Sequence, residues 1–214
     1  MNILRKIFIL GLAVFFTLTS FGYFFWPQYR VIHNLPVEID EAARTETLGR
    51  LKLKALTAKE YATAHGYDAT RCFLVDMRLP SGKNRFFVYN LEADTVEMAG
   101  LVTHGKGSEK ETGDLFFSNT PNSNCTSLGK YKIGRPYQGS FGLSYKLIGL
   151  DKTNSKAFDR AVVLHSYCGV PKQEVYPAPI CVSEGCPVVA PVFLTQLKTY
   201  LDGSTDPILL WIYY

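Results

Sequence analysis

The chain contains the stretch RAVVLHSYCGVPKQEVYPAPICVSEGCPVVAP, residues 160–191, whose two ends are built very differently. Residues 161–164 are apolar and predict a buried strand that ends at His165. At the other end, the sequence Ser-Glu-Gly-Cys-Pro at 183–187 is typical of a tight turn and places Cys186 in it. The stretch therefore predicts a histidine at the end of a strand and a cysteine in a turn, on two separate elements.

A cysteine and a histidine on separate elements can act as a nucleophile and its base. The thiolate is the reactive form of the cysteine, and a neighbouring imidazole lowers the pKa of the thiol. Gly185 allows a sharp backbone turn, so that amides near Cys186 can point at a developing oxyanion. This pair alone is weak support for catalysis, because a chain with five cysteines and four histidines often offers one.

Other interpretations of the same residues stay open. Cys186 can be half of a disulfide, and His165 can be a structural histidine with its hydrogen bonds satisfied. A zinc site from Cys168, Cys181, Cys186 and His165 is disfavoured, because the spacings are irregular and no Cys-x-x-Cys occurs. We therefore do not expect a zinc ion at these residues.

Outward from this stretch, the sequence predicts an α+β fold with a mostly β core. Leu48, Leu51, Ala55 and Ala58 recur at steps of three and four, which indicates a helix over 46–64. A second helix is predicted over 191–201, and residues 104–127 form a long loop rich in Gly, Ser and Asn. The predicted strands are 71–78, 85–92, 95–103, 129–134, 143–150, 159–165 and 208–214, the first two forming a hairpin.

Length and composition exclude several classes of protein. The 214 residues suffice for one domain and an appendage, and 47% hydrophobic with 20% charged residues excludes a disordered chain. The net charge of +4 is too small to argue for nucleic-acid binding.

The N-terminus sets the expected compartment. Arg5 and Lys6 precede residues 7–26, an uncharged and mostly apolar run of the length that a helix needs to span a bilayer. Basic residues before such a run keep the N-terminus cytoplasmic, so the rest of the chain is expected to be exported. We expect residues 1–26 to be a retained anchor or a cleaved signal peptide, 27–45 a linker, and 46–214 the folded domain.

The order of motifs resembles the L,D-transpeptidases, the cysteine enzymes that cross-link peptidoglycan. The resemblance is closest to the murein L,D-transpeptidase catalytic domain family, in which proline follows the cysteine. It implies a β-sandwich or barrel catalytic domain and covers roughly residues 70–214. The segments that carry it, in order, are LVTHGKGS (101–108), FFSNTPNSNCTSLGKYKIGRPYQGSFG (116–142), LIGLD (147–151), RAVVLHS (160–166) and VSEGCPVV (182–189).

The resemblance implies roles for individual residues. Cys186 is similar to the acylated nucleophile and His165 to the general base and acid. Ser183, Glu184 and Gly185 match the loop whose amides, with that of Cys186, form the oxyanion hole. The remaining matches are Ser166, whose carbonyl would hold the histidine tautomer, and the substrate-side candidates Tyr137, Asn119 and Gly139. His104 also matches a family position, and both a structural role and a substrate contact stay open for it.

The sequence departs from the common family pattern at three positions. Many members have glycine after the histidine, histidine before Gly-Cys, and arginine after the cysteine, where this chain has Ser166, Glu184 and Pro187. A carboxylate at 184 that faced inward would raise the pKa of Cys186. The three departures therefore bear on the rate of the implied reaction more than on its type.

The resemblance further implies peptidoglycan tetrapeptide stems as donor and acceptor, joined by 3→3 cross-links with release of D-Ala. It also implies a reaction without metal or organic cofactor, and action in the periplasm or cell envelope. If water replaces the acceptor amine, the enzyme is an L,D-carboxypeptidase. A catalytically inactive wall-binding module is the alternative outside enzymes.

The odd number of cysteines fits two disulfides and one free thiol in an oxidising compartment. Cys186 would be free, with Cys72, Cys125, Cys168 and Cys181 as bridging candidates. Cys168 and Cys181 flank one loop and are the expected pair, although connectivity does not follow from a sequence.

Overall fold

The computed structural model describes residues 37–214, with side chains from residue 41 onward. The expected anchor or signal segment at 1–26 and the first part of the linker therefore lie outside the described residues. Within residues 37–214, no helix combines the length and the apolar character needed to cross a membrane.

Two α-helices and eight strands make up the described chain. The helices are α1 (Val37–His65) and α2 (Pro191–Gly203). The strands are β1 (Arg71–Asp76), β2 (Phe86–Asn90), β3 (Thr95–Gly100), β4 (Gly129–Gly139), β5 (Gly142–Gly149), β6 (Val163–Ser166), β7 (Val188–Val189) and β8 (Leu209–Tyr213).

All eight strands belong to one sheet in the order β3-β2-β1-β8-β4-β5-β6-β7. The pairs β1/β8 and β6/β7 are parallel, and the other neighbouring pairs are antiparallel. The chain therefore returns at its C-terminal end to insert β8 into the middle of the sheet. This insertion explains why the closing apolar run is buried, as its sequence predicts.

The sheet curls until its two edges meet. Val102, just beyond the end of edge strand β3, forms an antiparallel bridge with Val189 on the opposite edge strand β7. The enclosed core contains Phe73, Leu147 and Leu164 from the strands and Phe193 from α2. The mostly β, barrel-like architecture with few helices that the sequence predicts is confirmed.

Helix α1 covers part of the outer face of the sheet. Leu51, Ala55 and Ala58 are buried in a second apolar cluster that includes Leu74 of β1 and Tyr89 of β2. These are three of the four positions at steps of three and four that predict the helix, whereas the fourth, Leu48, is exposed. Backbone contacts assign residues 49–214 to one compact unit, while the described residues before it continue α1 with mostly exposed side chains.

Three predicted boundaries are wrong: the starts of α1 and β6, and the end of β4, which lies at Gly139 rather than at 134. Helix α1 begins at Val37 rather than at 46, so the second half of the expected linker is helical. Residues 41–46 lack an apolar face but consist largely of Glu, Ala and Arg, which have high helix propensity. Strand β6 begins at Val163 rather than at 159, because residues 151–161 fold into successive turns, and the short β7 was not predicted.

Candidate active site

Cys186 lies in the turn that leads into β7, and the glycine before it shapes that turn. Gly185 has φ +113°, a conformation that other residues rarely adopt. A Cβ at this position would also lie only 2.8 Å from the Cys125 carbonyl oxygen. The Ser-Glu-Gly-Cys sequence thus needs glycine for two independent reasons, a left-handed backbone and a close backbone approach.

The hydroxyl of Ser183 closes the same turn. Its Oγ lies 2.6 Å from the Cys186 carbonyl oxygen and accepts a hydrogen bond from the Gly185 N–H at 3.1 Å. The Ser183 N–H donates to the His104 carbonyl at 2.9 Å, which ties the turn to the segment after β3. Ser183 therefore fixes the path of the backbone around the cysteine.

His165 lies on β6, beside the strand that follows Cys186. It pairs in register with Val188 of β7 and Ser144 of β5. Its Nδ1 lies 3.1 Å from the Ser166 carbonyl oxygen. A carbonyl only accepts hydrogen bonds, so Nδ1 carries the proton and Nε2 of the neutral ring is left with its lone pair. Burial lowers the pKa of His165, which favours this neutral form at physiological pH.

The thiol of Cys186 is subject to opposing influences. Burial raises its pKa, the Val163 N–H and the Arg160 charge lower it, and the Glu184 charge raises it. The Val163 N–H points at Sγ over 3.5 Å, and Sγ lies 3.9 Å from the Ala161 carbonyl oxygen. The thiol therefore lies beside the start of β6, the strand that also carries the histidine.

Cys186 and His165 line the same cavity, which has a volume of about 360 Å³. Phe141, Tyr167 and Val182 give it an apolar wall, and charged side chains stand beside them. Its lining also includes Thr103, Lys106, Cys181, Ser183, Glu184 and Val188. The structure thus brings together Cys186, His165, Ser183 and Glu184 from the predicted site. Gly185 adjoins the cavity in the chain, and Ser166 supplies the carbonyl that holds the histidine.

Arg160 is a functional candidate that sequence reasoning missed. Its guanidinium donates to the carbonyls of Ser118 at 2.9 Å and Cys125 at 2.7 Å, and also to the Ser127 hydroxyl. These bonds fasten the long loop before β4 beside the cysteine turn, and the charge stabilises the thiolate. The partners lie more than 30 residues away in the chain, so no local pattern indicates them.

Phe141 is a second residue that the sequence did not single out. Its ring stacks on the His165 imidazole, with centroids 4.4 Å apart and planes 20° from parallel. Phe141 lies at the tip of the β4–β5 hairpin and is 61% exposed, while His165 is 5% exposed. The hairpin tip therefore covers the histidine and reduces its contact with water.

A chain of three polar side chains supports the turn from behind, with Arg85 and His104 buried and Glu109 exposed. Arg85 donates to His104 Nδ1 at 2.9 Å, and His104 Nε2 lies 3.2 Å from Glu109 Oε1. Because Arg85 can only donate, His104 carries its proton on Nε2 and donates it to Glu109. Burial lowers the pKa of Arg85 to about 10, so its guanidinium stays charged. His104 is therefore buried and structural.

The three substrate-side candidates lie outside the cavity lining. The Asn119 side chain donates to the Lys152 carbonyl at 3.1 Å and to the Ser155 hydroxyl at 3.0 Å, fastening two loops together. Tyr137 is exposed with the Lys146 ammonium over its ring, and Gly139 pairs with Gly142 at the end of the hairpin. Substrate contact by these residues stays a prediction.

All five cysteines are free in the structure, so the expected Cys168–Cys181 bridge is not formed. Cys72 and Cys125 are buried, and Cys125 Sγ donates to the Gly107 carbonyl at 3.0 Å. Cys168 and Cys181 are exposed in the loop between β6 and β7. Within residues 37–214, no group of His, Cys, Asp or Glu side chains is arranged to hold a metal ion.

The described chain thus combines a curled mixed sheet with a cysteine turn and a strand-end histidine that line one cavity. The profile of a family described as the L,D-transpeptidase catalytic domain matches residues 45–213. The match covers most of the chain, so the chain belongs to this family. No curated protein matches it.

Solved structures with a similar fold include an L,D-transpeptidase from Enterococcus faecium, with 12% identity over 67% of this chain and 50% of the other, and a TM-score of 0.40. A helical cell shape determining protein from Campylobacter jejuni shares 11% identity over 67% and 47%, with a TM-score of 0.42. L,D-transpeptidase 1 from Mycobacterium tuberculosis shares 13% over 67% and 61%, with a TM-score of 0.35. The chain thus spans about half the length of the first two.

Proposed function

We propose that this protein is a peptidoglycan L,D-transpeptidase that forms 3→3 cross-links through a thioester on Cys186. The observation that carries the proposal is that Cys186 and His165 line one cavity. His165 presents an unprotonated Nε2 because the Ser166 carbonyl holds the proton on Nδ1. Membership of the family then selects the acyl-transfer chemistry from what a thiol and an imidazole can do.

The first half of the proposed reaction acylates the enzyme. His165 Nε2 takes the proton of the Cys186 thiol, and the thiolate attacks the carbonyl of the third stem residue at its L-centre. The tetrahedral intermediate collapses, the bond to D-Ala breaks, and His165 returns its proton to the leaving amine. A thioester on Sγ remains.

The second half transfers the acyl group. The side-chain amine of another stem loses a proton to His165 and attacks the thioester, so that an amide forms and the Cys186 thiol is regenerated. Attack by water in place of the amine would release a tripeptide. The reaction needs no redox step and no cofactor, because the electron pairs move only between nucleophile, carbonyl and leaving group.

Two backbone amides are suited to the developing oxyanion. The Ser183 N–H is bonded to the His104 carbonyl and the Gly185 N–H to the Ser183 hydroxyl. Among the described residues, this leaves the amides of Glu184 and Cys186 without a protein acceptor. We therefore assign the oxyanion to these two N–H groups rather than to the whole turn.

The test is mass spectrometry of the full chain incubated with disaccharide-tetrapeptide. The proposal predicts release of D-Ala with a 3→3 dimer, abolished in Cys186→Ala and retained in Cys168→Ser, a control at an exposed thiol outside the cavity. Tripeptide without dimer would instead identify a carboxypeptidase. Absence of any product from the folded protein would contradict catalysis and favour the wall-binding module.

We further propose that the domain works in the cell envelope, delivered there by residues 1–26. The support is the uncharged apolar run after Arg5 and Lys6. N-terminal sequencing of the protein from the membrane fraction distinguishes a retained anchor, which keeps Met1, from a cleaved signal, which starts near Tyr23. Recovery of the uncleaved chain from the cytosol would contradict export.

A further inference from the structure

An ion pair stands at the edge of the cavity next to the nucleophile. Lys106 Nζ and Glu184 Oε1 are 2.6 Å apart, and both residues line the cavity with Cys186. Their side chains are 50% and 68% exposed. Both charged ends are therefore open to a ligand that enters the cavity.

The backbone places the two side chains side by side without help from the ion pair. Gly105 and Ser183 form a parallel bridge, and the Lys106 N–H donates to the Ser183 carbonyl at 2.7 Å. Residues 106 and 184, one step further along each segment, are thereby neighbours. A ligand can separate the two charges while the turn that carries Cys186 stays in place.

Neither charge is explained by stability or by the chemistry at the thiol. An exposed ion pair contributes little to folding. The Glu184 charge raises the pKa of Cys186 and so opposes formation of the thiolate. The Glu184 carboxylate opposes formation of the thiolate and adds little stability, so its presence is explained more simply by a role in binding substrate.

We propose that Lys106 and Glu184 bind the zwitterionic end of a diamino diacid side chain in the donor stem, such as that of diaminopimelate. Lys106 receives the carboxylate of this side chain, and Glu184 receives its ammonium group. This inference rests on the proposed function, and it assigns the two side chains that recognise the distal end of the third stem residue.

The distances in such a side chain match the placement of the pair. Glu184 precedes Cys186 by two residues, so their Cα atoms are at most about 7 Å apart. In diaminopimelate, three methylenes separate the two amino-acid centres, a span of about 5 Å when extended. This span is of the same order as the separation of the two Cα atoms, and the ion pair lines the same cavity as Cys186. Tyr167 and Val182 lie in the apolar wall available to the methylenes.

The experiment compares three donors that differ only at the third residue of the tetrapeptide: diaminopimelate, amidated diaminopimelate and lysine. The full-length protein should release D-Ala from the first with a kcat/KM about tenfold higher than from the other two, the size expected for one charge-assisted hydrogen bond. The difference should lie mainly in KM. Equal kcat/KM for all three, with release that depends on Cys186, would overturn this inference and leave the proposed function standing.

The variant Lys106→Met should remove the preference for the free carboxylate, while Lys110→Met, a change at a lysine outside the cavity lining, should keep it. Calorimetric binding of the same three peptides to Cys186→Ala measures recognition without turnover. If this variant binds all three with equal affinity, the inference is wrong even if no donor is turned over. Selective binding without D-Ala release would support the inference and contradict the proposed function.

Discussion

At the scale of single residues, close packing of the backbone determines the conformation of the turn that carries Cys186. The Ser183 hydroxyl, the Gly185 backbone and the Cys125 carbonyl meet in one turn. Sequence reasoning identified the need for glycine here from the small residues before the cysteine. It did not identify Cys125 as the neighbour that excludes a Cβ, because that contact joins segments about 60 residues apart in the chain.

Gly185→Ala should lower the free energy of unfolding by about 1–3 kcal/mol, the usual range for a non-glycine residue forced into a strained backbone conformation. The new Cβ would also displace the Cys125 carbonyl, and D-Ala release should fall. Urea denaturation measures the change in stability.

The matched control is Gly49→Ala, in the middle of α1, where a Cβ would meet nothing within 4 Å. This change should leave stability unchanged or raise it by up to about 1 kcal/mol, because alanine is the better helix former. If both variants lost the same stability, the conformation assigned to Gly185 would be contradicted.

At the scale of elements, the segment after β3 couples the barrel to the cysteine turn. His104 accepts from Arg85 through its side chain and from Ser183 through its carbonyl. Burial and the Arg85 charge lower the pKa of His104, despite the opposing influence of Glu109. Protonation of Nδ1 would replace this hydrogen bond by repulsion between two cations. We therefore expect the support of the turn to depend on pH.

The native state keeps His104 neutral below the pH at which an unfolded histidine is protonated, about 6.5. As the pH falls below that value, the unfolded chain binds more protons than the native chain, so stability decreases. We predict a loss of unfolding free energy between about pH 7.5 and about pH 5 that is smaller in His104→Gln. His165, whose pKa is also lowered, contributes in the same direction and remains in both proteins.

Urea denaturation at the two pH values measures this difference in slope. The matched control is His65→Gln, at an exposed residue, which should keep the wild-type pH dependence. An unchanged slope in His104→Gln would mean that His104 titrates alike in the native and unfolded chains, which would contradict the lowered pKa of this residue.

How well elements could be predicted depended on whether their signal is local. The hairpin of β1 and β2, helix α2 and the closing strand β8 follow from apolar runs and turn residues. The start of β6 could not be predicted in this way, because residues 151–161 form turns. Long-range contacts hold these turns, such as the hydrogen bond that the Asn154 side chain donates to the Lys130 carbonyl. The β7 strand has two residues and exists only because β6 lies beside it.

At the scale of the whole molecule, two apolar clusters lie on opposite faces of one sheet. The inner cluster includes Leu164, next to His165, and Val188 beside the cysteine turn, and Cys186 packs against it. The outer cluster joins α1 to the sheet through Leu51, Ala55 and Ala58. Substitutions in the outer cluster should therefore lower the free energy of unfolding and leave the arrangement of Cys186 and His165 largely unchanged.

Leu51→Ala should lower the free energy of unfolding by about 2–5 kcal/mol, since Leu51 is 1% exposed and its loss leaves a cavity. Under conditions where the variant is folded, D-Ala release should stay near the wild-type rate. Leu53→Ala, at a leucine that is 71% exposed, is the control and should change stability by less than about 0.5 kcal/mol. A large loss of activity in folded Leu51→Ala would contradict the separation of the two faces.

The closure of the sheet and the position of Arg160 could not be predicted from local patterns. Val102 meets Val189, and Arg160 meets Ser118, across long separations in the chain. The local positions of Cys186 and His165 could be predicted, because one follows a glycine in a turn and the other ends an apolar strand. The order of motifs along the chain indicated that the two residues lie in one site. The stacking of Phe141 on His165 required the hairpin to be in place.

The central claim is that Cys186 carries the acyl group, and trapping that intermediate tests it most directly. The full-length protein should be mixed with tetrapeptide, quenched in acid and digested for peptide mass spectrometry. We predict an adduct equal to the tetrapeptide minus D-Ala on the peptide containing Cys186, removed by hydroxylamine and absent in Cys186→Ala. Release of D-Ala with no adduct on Cys186, or with the adduct on another residue, would contradict the account.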